Sequence, residues 1–366
     1  MKTFKLIALI LSLAMIIGLA ACKAAPPADT KEPEPSASNT PEIASPGKIA
    51  VIRNMTSSDH TAQFFAGCAA EGEALGYKVD TFMSDGDDVK MQELMENALQ
   101  QDYDIWILSH ANEGYQNEMV SKAVAKGIFV SCFDCGGEHV PGVSYMSQND
   151  EALASISMNT LIEKAVAAGA DKPVKFIEVN ILGAIVPFDN RHAAIEELIA
   201  AGDLERANLI SPPLQGDFYT DVYNGISTTL AQDANKEIKG VWSATSAFLS
   251  AVIDAIKDAD RDDVLVAAVD ISDTEILRLI EEPAYVSCAA VDPYVIGVVA
   301  VRLAVLNSLG EETPEVVQFD AVAITRDKLQ AGDTMATLSN YFEGFGATNL
   351  YETQEILDLK AETAAK

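Results

Sequence analysis

The chain has 366 residues and a formal net charge of −30, because 55 Asp and Glu residues outnumber 25 Lys and Arg residues. This acid excess argues against partners such as nucleic acid and against electrostatic binding to anionic lipid, since both require clustered cations. Hydrophobic residues make up 49% of the chain, so sizeable cores are expected, and the length suggests two domains.

The N-terminal segment has the pattern of an export signal. Two lysines precede an apolar run over residues 6–21, which is short for a membrane span. The run ends in Ala20-Ala21-Cys22, which resembles the lipobox of bacterial lipoproteins, where the Cys thiol is acylated and becomes the mature N-terminus. We predict a signal peptide over 1–21 and lipidation at Cys22.

The next segment, 22–46, is predicted to be a disordered stalk. It holds six of the 14 prolines, among Ala, Ser, Thr and Glu. Such a composition cannot bury a core and stays extended. A lipid followed by a stalk would tether a soluble body to the outside of the cell membrane.

Short apolar strands and helices alternate from residue 48 onward. The first half predicts strands at 49–52, 78–83, 104–108 and 128–133, with helices over 61–75, 88–100 and 113–126. After a break at 142–149, the second half predicts strands at 174–179, 209–210, 240–242, 264–269 and 285–291, with helices over 151–168, 190–200, 217–232, 246–257, 272–280 and 293–309. This spacing indicates crossover connections, and therefore two doubly wound α/β lobes with parallel sheets.

Polar residues follow the predicted strands. In open parallel sheets, ligands bind at the carboxyl ends of the strands. We therefore expect one crevice between the lobes, lined by the residues at these ends: Arg53 and Asn54, Ser84 and Asp85, 109–112, Asp134, Asn180, 243–245, Asp270 and Asp292.

Several short motifs in this order resemble the type I periplasmic solute-binding proteins of the ribose-binding kind, over roughly residues 47–330. They are Leu75-Gly76-Tyr77 after the first helix, the strand 129–133 followed by Asp134, Arg191 within 190–195, the strand 266–269 followed by Asp270, and Asp292-Pro293-Tyr294 with Gly297. The resemblance implies two lobes joined by a three-stranded hinge. It divides the body into an N-terminal lobe (47–147 plus 292–319), a C-terminal lobe (148–291 plus 320–332) and a tail (333–366), which we expect to lie back across the lobes.

The resemblance also implies a site for an uncharged small molecule, most often a monosaccharide. Asp134, Arg191 and Asp270 would bind hydroxyls, and Phe218 would stack on the apolar face of a sugar ring. The loop with Asn54, Ser58 and His60 would face the crevice, together with Thr245. Departures from the family pattern at Ser58, His60, Thr61, Thr245 and Val291 leave the ligand open among a pentose or hexose, a sugar-like signal, a nucleoside and a polyol.

The function implied by this family is that of a monomeric binding protein, not an enzyme, which hands its ligand to a membrane permease driven by a cytoplasmic ATPase. An alternative with the same fold is a receptor for a sensor kinase or a chemotaxis system. A dehydrogenase is disfavoured, because no G-x-G-x-x-G follows the first strand. Cys132 and Cys135 have C-x-x-C spacing, but a zinc site would need a second pair, so no metal or cofactor is expected.

Overall fold

The computed structural model describes residues 47–183, 185–213 and 216–366. The predicted signal peptide and stalk, with Cys22, lie outside these described residues. No helix in the described ranges is long and apolar enough to cross a bilayer.

Strands and helices alternate along the described chain. The strands are β1 (Lys48–Arg53), β2 (Lys78–Met83), β3 (Ile105–Ser109), β4 (Phe129–Phe133), β5 (Ser144–Gln148), β6 (Val174–Val179), β7 (Leu204–Ile210), β8 (Ile238–Ser243), β9 (Leu265–Val269), β10 (Tyr285–Ala290), β11 (Val316–Phe319) and β12 (Val322–Thr325). The helices are α1 (Asp59–Ala74), α2 (Asp88–Leu99), α3 (Glu113–Ala125), α4 (Asp150–Ala167), α5 (Val186–Ala200), α6 (Phe218–Gln232), α7 (Leu249–Asp258), α8 (Asp273–Glu281), α9 (Pro293–Ser308) and α10 (Gln354–Ala364).

The strands form two six-stranded sheets, one in each lobe. The N-terminal lobe has the order β11-β5-β4-β3-β1-β2, and every neighbouring pair is parallel. The C-terminal lobe repeats this order as β12-β10-β9-β8-β6-β7, but β12 runs antiparallel to β10. The chain changes lobe after β5, after β10 and between β11 and β12, so the predicted fold class, two α/β lobes with a three-stranded hinge, is confirmed.

Both faces of each sheet are covered, which explains the continuous apolar runs in the sequence. In β1, Ile49 and Val51 contact one cluster with α1 and α9, whereas Ala50 and Ile52 contact another with α2 and α3. All four side chains are fully buried. Because successive side chains of a strand point to opposite faces of the sheet, this one segment contributes to two cores.

The elements next to the hinge differ from the sequence prediction. Strands β5, β11 and β12 were not predicted, because they are short and mix polar with apolar residues. Only two residues link β11 to β12, which leaves no room for a crossover helix, so β12 enters the second sheet antiparallel. Helix α5 also begins at Val186 and not at 190, and β7 begins at Leu204 and not at 209.

The C-terminal tail contacts both lobes. Leu338, Phe342 and Phe345 belong to the core of the C-terminal lobe, whereas Ile356 belongs to a core cluster of the N-terminal lobe. The second contact is also polar, because Arg302 Nη1 in α9 donates to the tail carbonyls of Thr348 and Leu350 at 2.7 Å. The tail is therefore a fourth connection between the lobes.

We expect Phe342→Ala to lower the free energy of unfolding by about 3–5 kcal/mol, the usual cost of emptying a buried phenylalanine site. The Phe342 side chain is 2% exposed. Urea unfolding measures the change, and Leu357→Ala, at a 43% exposed position in α10, is the control. Equal stability of both variants and the parent chain would show that the packing of Phe342 in the C-terminal lobe contributes nothing to folding.

Candidate functional site

A cleft between the lobes encloses about 600 Å³ of empty space, part of it open to solvent. Its described lining from the N-terminal lobe consists of Arg53, Met55, Thr56, Ser58, His60, His110 and Gln148. The described lining from the C-terminal lobe consists of Ile181, Ile185, Pro187, Phe188, Arg191, Phe218, Thr245, Ala247, Phe248 and Asp270.

Three residues that directly follow strands at this cleft have an unusual backbone conformation. His110 after β3, Asp134 after β4 and Asp270 after β9 have φ angles of +60°, +47° and +74°. Non-glycine residues rarely adopt this region, and such strain concentrates at functional sites. Because β4 and β9 occupy the same place in the two strand orders, the two aspartates lie at equivalent positions of the two lobes.

Arg191 and Asp270 bring opposite charges to the C-terminal wall of the cleft. Arg191 Nε donates to Asp150 Oδ1 at 2.8 Å and Nη1 donates to the Ala244 carbonyl at 2.7 Å, while Asp270 Oδ2 lies 3.9 Å from Nη1. Asp270 is 8% exposed, and no hydrogen bond to its carboxylate occurs among the described residues. The Asp270 oxygens are therefore free to accept hydrogen bonds from a ligand.

Asp134 is absent from the described lining, although it adjoins the cleft through Gln148. The Gln148 backbone N–H and side-chain Nε2 both donate to its carboxylate at 3.3 Å. Gln148 lines the same cleft, and its buried Oε1 has no partner in the described part of the chain. Asp134 thus orients the Gln148 amide, and Gln148 is a lining residue that the sequence did not indicate.

The pH dependence of the protein's stability tests whether the surroundings of Asp134 raise the pKa of its carboxyl group. Burial, with a smaller contribution from Asp150, raises the pKa of Asp134 from 3.8 to about 8. A carboxyl that binds its proton more tightly in the folded chain stabilises the fold below pH 4, and this contribution is lost as the pH rises to about 8. The melting temperature of the parent chain should fall between pH 5 and pH 8. We expect a smaller fall in the melting temperature of Asp134→Asn.

The control is Asp85→Asn, an exposed residue with a similar φ of +61°. The melting temperature of this variant should depend on pH as that of the parent chain does. If Asp134→Asn does so too, the carboxyl is ionised throughout this range.

Arg53 organises the N-terminal wall. Its guanidinium is 1% exposed and donates to Thr61 Oγ1 at 3.2 Å, to Ser109 Oγ at 2.7 Å and to His60 Nδ1 at 3.1 Å. Burial lowers the pKa of Arg53 to about 10 and that of His60 to about 4. Since a guanidinium only donates, neutral His60 carries its proton on Nε2. Burial likewise keeps the pKa of His110 well below its usual value.

The other predicted residues divide between the cleft and the scaffold. His60 and Phe218 line the cleft, and the Phe218 ring meets Phe248 edge to face at 5.6 Å. Ser58 and Thr245 also line it, but their hydroxyls accept from backbone N–H groups at helix starts. Asn54 lies outside the described lining, because its amide donates to Asp88 and Tyr115. The roles of these residues in binding stay predictions.

Cations and carboxyls lie together around the cleft. Arg53 and Arg191 are close to Asp134, Asp150 and Asp270, and burial raises the pKa of Asp134 to about 8 and also raises the pKa of Asp150. A charged ligand would leave an uncompensated charge in this buried site, which is costly.

The two lobes touch at the edge of the cleft. Thr274 Oγ1 at the start of α8 donates to Asp59 Oδ2 at the start of α1, at 3.0 Å. Arg191 and Asp270, deep in the cleft, are 2% and 8% exposed. Both side chains are therefore largely shielded from solvent in this arrangement of the lobes.

A family model described as a periplasmic binding protein domain matches residues 49–312. This chain is a periplasmic binding protein. The family works outside the cytoplasm, and its members bind substrates for transporters. No curated protein matches the sequence of this periplasmic binding protein.

Solved structures agree with this assignment. A sugar ABC transporter protein from Yersinia enterocolitica has 32% identity and a TM-score of 0.80, over 86% of this chain and 95% of that chain. A 5-methylthioribose transporter solute-binding protein from Thermotoga lettingae has 23% identity and a TM-score of 0.75, over 86% and 97%. A Caulobacter myo-inositol-binding protein has 16% identity and a TM-score of 0.66, over 85% and 97%. The last two share the fold of this periplasmic binding protein.

Proposed function

We propose that this periplasmic binding protein captures an uncharged, hydroxylated small molecule, of which a monosaccharide is the first candidate, by closing its lobes around it. The observation that carries the proposal is a pair of acceptors without hydrogen bonds in the described structure, the Asp270 carboxylate and the buried Gln148 Oε1, on two residues that line one cleft. Hydroxyls that donate to both would bind fully only in the closed form. Ligand would therefore shift an open–closed equilibrium towards closure.

The solved relatives support a sugar-like ligand. The Yersinia protein is a sugar ABC transporter protein, the Thermotoga protein is bound to 5-methylthioribose, and the Caulobacter protein is bound to myo-inositol. We infer that the closed form delivers its ligand to a membrane permease driven by a cytoplasmic ATPase. Contacts of Asp134, Arg191, Asp270, Phe218, Ser58, His60 and Thr245 with the ligand, direct or through a neighbour, are part of the proposal.

A thermal-shift screen tests this function. The chain without its signal segment, carrying Cys22→Ser, is melted in the presence of pentoses, hexoses, myo-inositol, 5-methylthioribose, nucleosides and amino acids. A ligand that binds only the folded state raises the melting temperature by mass action. We expect shifts from uncharged sugars or polyols. Shifts from amino acids alone, or from none of these compounds, would contradict the proposal.

We also propose that Cys22 carries a lipid that holds the protein at the cell membrane. We expect the full-length chain to incorporate labelled palmitate and to sediment with membranes, and Cys22→Ser to lose both properties. Cys68→Ser, at a buried thiol, is the control and should keep them. A membrane-bound, labelled Cys22→Ser variant would contradict lipidation at this residue.

A further inference from the structure

The walls of the cleft differ in chemistry. On the C-terminal side, six apolar side chains form one surface, which we call the apolar wall: Ile181, Ile185, Pro187, Phe188, Phe218 and Phe248. On the N-terminal side, Met55 is the one large apolar side chain in the described lining. Ring stacking on a sugar accounts for the aromatic members of the apolar wall. It does not account for the aliphatic members.

The free hydrogen-bonding groups are confined to a few places. Gln148 Oε1, His60 Nε2 and the Asp270 carboxylate make no hydrogen bond among the described residues. Thr245, the remaining hydroxyl of the C-terminal wall, accepts from the Ala247 N–H at 3.4 Å. Beside the apolar wall, this leaves only Asp270 and Arg191 to pair with polar atoms of the ligand.

Ile185 shows the apolar character of this wall most clearly. It is the N-cap residue of α5, where Ser, Thr, Asp or Asn is usual, and it makes no side-chain hydrogen bond to the helix. Its half-buried side chain lines the cleft. An apolar residue therefore occupies a position at which a polar side chain would cap the helix.

A hydroxyl placed against the apolar wall would lose its bonds to water without gaining a partner, which costs free energy. A methyl or other apolar group there would instead gain from burial. We propose that the ligand is an amphipathic sugar, in which a deoxygenated carbon or an alkyl substituent packs on the apolar wall while hydroxyls bind the N-terminal wall and Asp270. This inference rests on the proposed function and narrows it.

Matched sugar pairs test the inference by titration calorimetry on the Cys22→Ser chain without its signal segment. The pairs are 5-deoxy-D-ribose with D-ribose, D-fucose with D-galactose, and L-rhamnose with L-mannose. Within the pair that binds best, we expect the deoxy sugar to bind at least about tenfold more tightly. Equal or tighter binding of the hydroxylated partner would overturn the inference and leave the proposed function intact. Absence of binding by all six sugars, together with a thermal shift from another uncharged sugar or polyol, would also overturn the inference and leave the proposed function intact.

Ile185→Thr separates specificity from folding. The new hydroxyl makes the apolar wall more polar and supplies a favourable N-cap, so the folded chain should not lose stability. We expect the preference for the deoxy sugar to fall by about tenfold. Val89→Thr, at a position in α2 that is 66% exposed, should leave the preference unchanged. An unaltered preference in Ile185→Thr would count against a role for the apolar wall.

Discussion

Asp270→Asn is expected to weaken ligand binding by about 30-fold or more without destabilising the unliganded chain. A carboxylate accepts stronger hydrogen bonds than an amide, and the loss over two bonds amounts to about 2 kcal/mol. The unliganded fold should be unaffected or slightly stabilised, because this buried carboxylate has no hydrogen bond in the described structure and its nearest cation is 3.9 Å away. Asparagine also tolerates the φ of +74° at this position.

Asp85→Asn is the matched control for this variant. It makes the same substitution at a φ of +61°, after strand β2, at an exposed residue outside the described lining of the cleft. Calorimetry with the best sugar from the screen should give parental affinity for Asp85→Asn. Parental affinity in Asp270→Asn as well would remove this carboxylate from the site.

Arg191→Met is expected to abolish detectable binding and to destabilise the fold by about 3–5 kcal/mol, since it leaves buried carboxylates without their cation. The guanidinium is 2% exposed and contacts Asp150 at 2.8 Å. The double variant Arg191→Met with Asp150→Asn should regain part of the stability, because one stranded charge is removed. It should not regain binding, because the donors for the ligand are still missing.

Arg261→Met distinguishes a binding defect from a folding defect. Arg261 is 3% exposed, pairs with Asp233 at 3.0 Å and Asp263 at 2.7 Å, and lies before β9, at the opposite end of that strand from Asp270. Its loss should cost comparable stability but leave the affinity of the folded fraction unchanged. Urea unfolding and calorimetry measure the two effects. Normal binding by Arg191→Met would contradict the assigned role of Arg191.

Sequence patterns predicted the architecture because each lobe consists of buried strands whose residues are apolar on both faces. Ile49 to Ile52 supply both cores of the N-terminal lobe, so this strand was visible without any tertiary information. The hinge strands were not visible, because Ser144–Gln148 is rich in polar residues and becomes a strand only through pairing with β4. Tertiary context overrides weak local preference at such positions.

The same reason explains which parts of the cleft were missed. Gln148 ends an unpredicted strand, so no sequence pattern indicated that this residue lines the cleft. Arg53 and His110 were recognised as residues that follow strands, but the hydrogen bonds from Arg53 that fix their arrangement depend on the folded positions of Ser109 and His60. Asp270 and Arg191 were more accessible to prediction, because the family resemblance marks them by motif.

Small-angle X-ray scattering of the Cys22→Ser chain, with and without a saturating amount of the best sugar, tests the central claim most directly. The proposed capture requires the free protein to open before a ligand contacts Arg191 and Asp270, which are 2% and 8% exposed in this arrangement. The account predicts that the radius of gyration falls when the sugar is added. An unchanged radius of gyration at a sugar concentration that calorimetry shows to be saturating would contradict capture by lobe closure.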